Sequence, residues 1–408
     1  RALGPEGAAK DVVLKEEGPK ALIDRIDRVF SADIRCRWDQ VVEWTDPRQQ
    51  EEIIDSLSRI SINSPLPESV ALSELYEVLA RLFPQADKLV VSKLTDVEKS
   101  VSIIGHSVLL RVGAFQDNRW LAEDAVKISS RTAILREIEN YNQYVIGQID
   151  DQRHAFRKSE IVIWHLGGIV YTLLGTSFDK TRTLKDFYHG EQLTTHKGGD
   201  IDVILSRLFG EVLRRWYNER KTKRINLWQE YRTSLGLDDE RLTRLEWGRG
   251  ANIEFKELIR PIPNPIKWLE QHSSHSHAQV GEHTIHGDLH SRNIFVDSNK
   301  GIWLIDFERT GPGHCLRDFI ELETDIKFSL LTLNDLRLFY HFETALLAQN
   351  LERLGDSSRG IPKEIQKHSA AKLAFHMITK VRQLARDSIY DRDMRDYFWG
   401  LLCQTMFV

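Results

Sequence analysis

The sequence predicts an α+β protein with two lobes, a small sheet-rich one followed by a larger, mostly helical one. Three observations carry this. Between Leu89 and Ser129, the β-rich runs LVVSKL, SVLLRVGAF and DAVKIS are separated by polar loops. After Leu184 the apolar spacing becomes helical. The helical part is interrupted by a hairpin pattern, NIFVD-SNKG-IWLID, whose central tetrapeptide is rich in turn formers.

The whole-chain properties narrow the class. A chain of 408 residues has room for two or three domains, and its 41% hydrophobic and 28% charged content is that of a globular protein. The net charge, 56 − 60 = −4, gives no footprint for nucleic acid. Cys36, Cys315 and Cys403 lie far apart without CxxC spacing, which argues for reduced thiols in a cytoplasmic protein and against a zinc or disulfide framework. No apolar run approaches the roughly 20 residues needed to cross a bilayer, so no membrane partner is expected. The chain starts at Arg1 rather than Met and stops within FWGLLCQTMFV, so a longer protein is expected.

The elements follow in order. DVVLK (Asp11–Lys15) reads as a strand, and GPKALIDRIDRVF (Gly18–Phe30) as a helix with Leu22, Ile26 and Val29 on one face; this α/β piece occupies 1–31. Residues 32–88 read as a helical connector. Asp46-Pro47 supplies an N-cap and a first-turn proline for a helix to about Ile60, and NSPLPES breaks the chain. Glu68 to Phe83 is amphipathic through Leu72, Leu75, Leu79 and Leu82.

The small lobe, 89–178, holds the β-rich runs, a helix with Ile134, Ile138, Tyr141 and Val145 on one face, and the strand GGIVYTLL (Gly167–Leu174). The helical lobe is 179–408. Its basic run RRWYNERKTKR (Arg214–Arg224) is balanced by Glu211, Glu219 and Glu230 and reads as a solvated helix face. The tract HSSHSH (His272–His277) reads as a solvated loop.

Function concentrates in HTIHGDLHSRNIFVDSNKGIWLIDFERTGPG (His283–Gly313). Phosphoryl transfer needs a metal held against phosphates and a carboxylate that orients the attacking hydroxyl. Mg²⁺ takes oxygen ligands, which Asn293 and Asp306 supply, while Asp288 remains for the acceptor. Two other readings stay open. Asp and Asn favour turns for reasons of their own. Alternatively His286, Asp288 and His290, at alternating positions, form a metal trio for hydrolysis.

HGDLHSRN followed by LIDFE resembles the catalytic loop and metal-binding segment of the aminoglycoside phosphotransferase and choline kinase group, relatives of protein kinases. The resemblance implies a protein kinase-like fold, ATP and Mg²⁺. It makes Asp288 the catalytic base, Asn293 and Asp306 the Mg²⁺ ligands, and His286 a brace for the loop. It also requires a phosphate-binding Lys on the third strand, which is Lys127 in DAVKIS, on the face opposite Val126 and Ile128. A Glu on the next helix should pair with it: Glu137, with Glu139 as competitor. Ser100 and Ser102 would donate to phosphate, and Leu173 to Gly175 would line an adenine pocket through main-chain groups. Asp318 fits a buried acid that stabilises the catalytic loop. Arg309 and His314 read as substrate contacts or as exposed loop residues.

Two departures matter. Val97–Ser107 contains Gly105 alone where protein kinases carry GxGxxG. No long activation segment follows Asp306, which argues against a protein kinase.

The first thirty residues resemble the last strand and helix of a receiver domain from two-component signalling, through Gly7, Ala8 and Lys15, with one extra residue in the interval. That implies a signalling partner for the N-terminal region; any α/β protein can end similarly. The expected function is an ATP- and Mg²⁺-dependent phosphotransferase acting on a hydroxyl of a small molecule, in a bacterial signalling or resistance-like setting. The alternatives are a nucleotide-binding, pseudokinase-like signalling module and a metal-dependent hydrolase.

Overall fold

The computed structural model describes residues 39–60, 65–94, 107–150, 153–172, 181–192, 199–218, 221–236, 250–256, 260–272, 277–348, 361–388 and 394–408. The receiver-like stretch 1–31, Ser100, Ser102, Gly105, Leu173 and Gly175 lie outside the described residues. The chain divides into two compact units, one of Arg1–Glu139 with Ala155–Leu174 and one of Asn140–His154 with Gly175–Val408.

The first unit is built on a six-stranded sheet in the order β1-β2-β3-β4-β6-β5. These strands are β1 (Val41–Trp44), β2 (Lys88–Lys93), β3 (Val108–Gln116), β4 (Arg119–Ser130), β5 (Phe156–Val162) and β6 (Leu166–Thr172). β1 runs parallel to β2, and the other pairs are antiparallel. The β3–β4 hairpin turns at Asp117 and Asn118, both with positive φ, a geometry that Asp and Asn tolerate.

Helix α1 (Pro47–Ser58) starts where the sequence predicts, with the Asp46 carboxylate accepting the Arg48 N–H at 2.9 Å. Helix α2 (Glu68–Leu82) follows. Ile53, Leu57, Leu75, Val78 and Leu79 from these helices share one core with Leu89, Val91, Leu110, Val126, Ile128 and Val170 of the sheet. The stretch read as a helical connector thus also contributes a strand and part of this core. β1 escaped the sequence reading because four residues at a sheet edge, alternately exposed and half-buried, give no sustained period. β5, also at an edge, was missed because its seven residues, FRKSEIV, are mostly polar and none of them is fully buried. Helix α3 (Arg131–Asn140) follows β4, and Tyr141–Val145 widens into a π-type turn.

The second unit contains two three-stranded sheets, in orders β14-β11-β8 and β13-β12-β7. Their strands are β7 (Thr181–Thr183), β8 (Lys221–Asn226), β11 (His277–Ile285), β12 (Ile294–Asp297), β13 (Ile302–Leu304) and β14 (Gly311–His314); β9 (Asn252–Ile253) and β10 (Ile262–Pro263) form a short ribbon. Its helices are α4 (Leu184–Gln192), α5 (Gly199–Arg207), α6 (Arg214–Asn218), α7 (Leu227–Ser234) and α8 (Pro265–His272). They continue with α9 (Arg317–Asp325), α10 (Leu336–Leu347), α11 (Lys363–Gln366), α12 (Ser369–Ser388) and α13 (Arg395–Phe407).

The basic run is not one helix face. Its helix ends at Asn218, and from Lys221 the chain pairs with β11 as an exposed edge strand, Lys223 Nζ meeting Glu282 at 2.7 Å. From Asn218 to Arg224 the run is polar throughout and carries no period that separates the two states, and Lys suits an open sheet edge. The pairing also makes His277 the first residue of β11 rather than part of a loop. Among the described residues no helix is long and apolar enough to cross a membrane. The result is the α+β class expected, a sheet-rich unit and a helix-rich one.

Candidate functional site

Each unit gathers one set of polar residues. In the first, β4 places Lys127 opposite Leu109 on β3 and Ile169 on β6. Its ammonium meets Glu137 Oε2 at 2.6 Å, and the Tyr171 hydroxyl donates to Oε1 of the same carboxylate at 2.8 Å. Glu139 is exposed, so the choice left open between the two acids falls to Glu137. The Lys127 and Glu137 side chains are only 4% and 0% exposed. Sequence alternation suggested a cleft-facing lysine; the side chain is instead buried against its acid. A buried pair of this kind is strongly destabilised when one partner is removed.

In the second unit the hairpin forms as the sequence predicts. Ile294, Phe295 and Val296 pair with Leu304, Trp303 and Ile302, and the Asp297 carboxylate accepts the N–H groups of Asn299 and Gly301 inside the turn. The Ile305 N–H then bonds to the Asn293 carbonyl at 3.2 Å, so Asp306 lies one residue beyond the partner of Asn293. Asp306 itself has φ +67, in the left-handed region that few non-glycine residues adopt and that clusters at functional sites. Phe307 is fully buried and packs edge-on against Tyr141 and His154, while the Asn140 amide donates to the carbonyls of Phe307 and Glu308. These contacts fix the chain after Asp306.

The loop His286–Asn293 is held mainly through its backbone. His286 is buried, and its Nε2–H donates to the Ile305 carbonyl at 3.0 Å, which ties the loop to the hairpin as a brace would. Asp318 Oδ2 accepts the N–H of His286 and Oδ1 that of Gly287, both at 2.9 Å, and the Tyr217 hydroxyl also donates to Oδ2. One turn along α9, Glu321 accepts the Leu289 N–H at 2.9 Å; a further turn along, Asp325 accepts that of Ser291 at 2.7 Å. Arg317 returns to Glu321 and to the Gly287 carbonyl. Positions 318, 321 and 325 form a single stripe on the helix, and all three carboxylates serve the loop. Asp318→Asn leaves fewer acceptor sites for these three donors. We expect a stability loss of about 1–3 kcal/mol, measured by chemical denaturation.

Burial pushes the Glu321 carboxyl up, Arg317 pulling it the other way. Burial, followed by the charge and hydrogen bond of Asp318, pushes the Tyr217 hydroxyl well above its ordinary range.

Asp288 is 28% exposed and lies 3.4 Å from Arg309 Nη1 through Oδ1, while His290 Nε2 is 3.8 Å from Oδ2. The Asn293 amide nitrogen donates to the Asp288 carbonyl at 2.9 Å. The amide oxygen of Asn293 and the Asp306 carboxylate are both hard oxygen donors, the type Mg²⁺ takes alongside phosphates and water.

Two readings of nearby residues are corrected. His314 is not an exposed loop residue: it is buried on β14 with Nδ1 3.0 Å from the Tyr231 hydroxyl. Burial, with His283 and Arg317 nearby, lowers its pKa to about 3. The metal trio of His286, Asp288 and His290 loses its premise, because 286–290 is not a strand and the His286 ring points to Ile305. Among the described residues no group of three or more His, Cys, Asp or Glu is placed to hold a metal.

Sequence reasoning missed Asp325, Tyr217 and the use of Glu321. The available signal was RDFIELETD, four acids on a helix whose residues are otherwise mostly apolar, a pattern that only buried partners can satisfy.

The family model described as "Ternary complex associated domain 9" matches residues 254–406, fewer than half of the 408. No curated protein matches. Among solved structures, the chain is similar to aminoglycoside phosphotransferase APH(3'')-Id from Streptomyces rimosus at 14% identity, covering 76% of this chain and 98% of that one, with TM-score 0.37. It is similar to a glucosamine kinase at 10% identity, covering 73% of each chain, with TM-score 0.33. It is also similar to choline kinase LicA from Streptococcus pneumoniae at 13% identity, covering 77% and 92%, with TM-score 0.29. At such identities and scores, residue roles rest on the chain's own geometry.

Proposed function

We propose that this chain is an ATP- and Mg²⁺-dependent phosphotransferase acting on a hydroxyl of a small molecule. The observation that carries the reading is the joining of two sequence segments into one hydrogen-bonded unit. His286 and Asn293 both bond to Ile305, which leaves Asp288, Asn293 and Asp306 on a common, backbone-fixed support. A turn-forming role alone gives no reason for three buried carboxylates of α9 to hold that loop.

In the proposed reaction, Asp288 accepts the proton of the acceptor hydroxyl as its oxygen attacks the γ-phosphorus of ATP. The new O–P bond forms as the bond from phosphorus to the β–γ bridging oxygen breaks, and ADP leaves. Asn293 and Asp306 would hold Mg²⁺, which when bound would neutralise charge at the phosphates. Lys127 serves the α- and β-phosphates, and Glu137 holds its ammonium in place. Asp318 acts through the loop and touches no substrate. ADP release from Mg·ATP, measured across a panel of hydroxyl compounds, tests the reading; no release with any of them counts against it.

Lys127→Met is expected to weaken Mg·ATP binding, as measured by nucleotide titration. Because the variant also leaves Glu137 buried without its cation, stability should fall by about 3–5 kcal/mol. The double variant Lys127→Met/Glu137→Gln removes the stranded charge, so it should regain stability but not nucleotide affinity. Full affinity in the double variant would show that another cation serves the phosphates.

One sequence feature favours a second reading, a nucleotide-binding signalling module that transfers little phosphate. The stretch Val97–Ser107 holds a single glycine, Gly105. Such a module would need Asp306 and Asn293 but not Asp288.

A further inference from the structure

We infer that the outer edge of β8 docks an extended, acidic segment of a partner protein, which joins the β14-β11-β8 sheet as a fourth strand. This inference does not depend on the phosphotransferase reading above.

The first observation is an open backbone edge. β8 pairs with β11 along Lys221–Asn226 and has no strand on its other side. Among the described residues, no backbone hydrogen bond joins Lys221, Thr222, Lys223, Arg224 or Ile225 to any element but β11. The first four of these residues are exposed. Alternate N–H and C=O groups therefore face outward over roughly 20 Å, at about 3.3 Å per residue. Such a row is a template on which an extended chain adds as a strand.

The second observation is the charge along that edge. Strand alternation puts Lys221 and Lys223 on one face and Thr222 and Arg224 on the other. Lys223 meets Glu282 at 2.7 Å, and Glu282 and Glu230 both raise its pKa. Lys221 and Arg224 make no ion pair among the described residues. An uncompensated cation thus stands on each face of the open edge. Like charges directly opposite one another destabilise paired strands, so a second copy of β8 is rejected and an acidic strand is accepted. Acids three residues apart set one carboxylate opposite Lys221 and one opposite Arg224.

The third observation is that the other sheet edges lack this combination. At the far side of the same sheet, β14 carries Pro312, which has no N–H to offer a further strand. In the first unit, β1 is only four residues long. Arg157 and Lys158 of β5 already meet Glu160 at 3.0 Å and Asp124 at 2.8 Å. β11, which β8 flanks, runs directly into His286, so the docked segment would be anchored to the strand that leads into the candidate site.

The test uses the full chain and fluorescein-labelled peptides, with binding read by anisotropy. One peptide has three Thr-Glu-Val repeats, and a second has Lys in place of Glu. A third keeps the Glu residues but has Pro in place of Thr and Val, which preserves charge and removes ladder donors. The wild type should bind the first at least about tenfold more tightly than either of the others. Lys221→Glu/Arg224→Glu should weaken the acidic peptide by about tenfold or more and favour the Lys peptide; an unchanged denaturant midpoint shows that the variant is folded. In the wild type, hydrogen exchange of the β8 amides should slow when the acidic peptide is added. Equal binding of the Pro peptide, β8 amides left unprotected, or affinity that survives the double charge reversal overturns the inference. Binding of heparin or single-stranded RNA without binding of the acidic peptide marks a polyanion surface and overturns it as well.

Discussion

Asp288→Asn is expected to lower turnover by at least about a hundredfold, the lower scale of general acid–base catalysis. Mg·ATP affinity should stay close to that of the wild type. As the proposed base Asp288 would take the acceptor proton, and its carboxylate meets Arg309 and His290, whereas Asn293 meets its backbone carbonyl. Asp306→Asn should do the opposite first: a charged ligand becomes neutral, and Mg·ATP binding weakens before turnover is considered. Nucleotide titration with and without Mg²⁺, followed by ADP release, separates the two effects. If Asp288→Asn leaves all output unchanged while Asp306→Asn abolishes it, the chain is a nucleotide sensor. If both changes are tolerated equally, the segment returns to turn chemistry.

Glu323→Gln should cost about 3–5 kcal/mol of stability near neutral pH, the usual effect of removing one member of a buried pair. Glu323 is fully buried on α9. Arg382 donates to it from Nη2 at 2.6 Å and Nε at 2.8 Å, Lys327 from 2.9 Å, and the Tyr397 hydroxyl from 2.5 Å. Arg382 also donates to the Leu346 carbonyl at 2.7 Å, so the cluster ties α9 to α10, α12 and α13. Burial alone would raise the Glu323 carboxyl, but Arg382 and Lys327 bring it down to about 2.

A depressed folded-state pKa means the contribution is complete above the unfolded value of about 4.5 and is lost as pH falls toward about 2. The stability gap between wild type and Glu323→Gln should therefore be widest above pH 4.5 and narrow below it. His314 adds acid sensitivity of the same sign, since its unfolded imidazole takes up a proton from about 6.5 downward while the folded one holds out to about 3. That contribution is common to both proteins and cancels in the difference. Denaturant unfolding at pH 7 and pH 3 checks this. An equal gap at both values would mean that the charge of Glu323 contributes nothing.

Much of the architecture was legible in local pattern. β2, β3 and β4 follow their β-rich apolar runs, β6 follows its continuous apolar run, and α1 starts at its Asp46-Pro47 signal. The hairpin was written in its turn residues, and His286, Asp288, Asn293 and Asp306 could be named because their spacing on that hairpin is a short-range property. Lys127 was reachable through strand alternation, though not its burial.

What local pattern does not contain is pairing across long separations. Glu137 and Glu139 are both charged helix residues, and only the sheet packed against α3 decides that Glu137 faces Lys127 and Tyr171. β1 is a short edge strand and β8 a mostly polar one, visible only once β2 and β11 provide the hydrogen-bonding partners. The acids of α9 look alike in sequence; folding turns Asp318, Glu321 and Asp325 toward the loop and Glu323 toward Arg382. The sequence by itself determined which chemical groups this protein has and which short segments carry them. The tertiary structure decided which charges are buried together, because a buried carboxylate is stable only where another element supplies its donors.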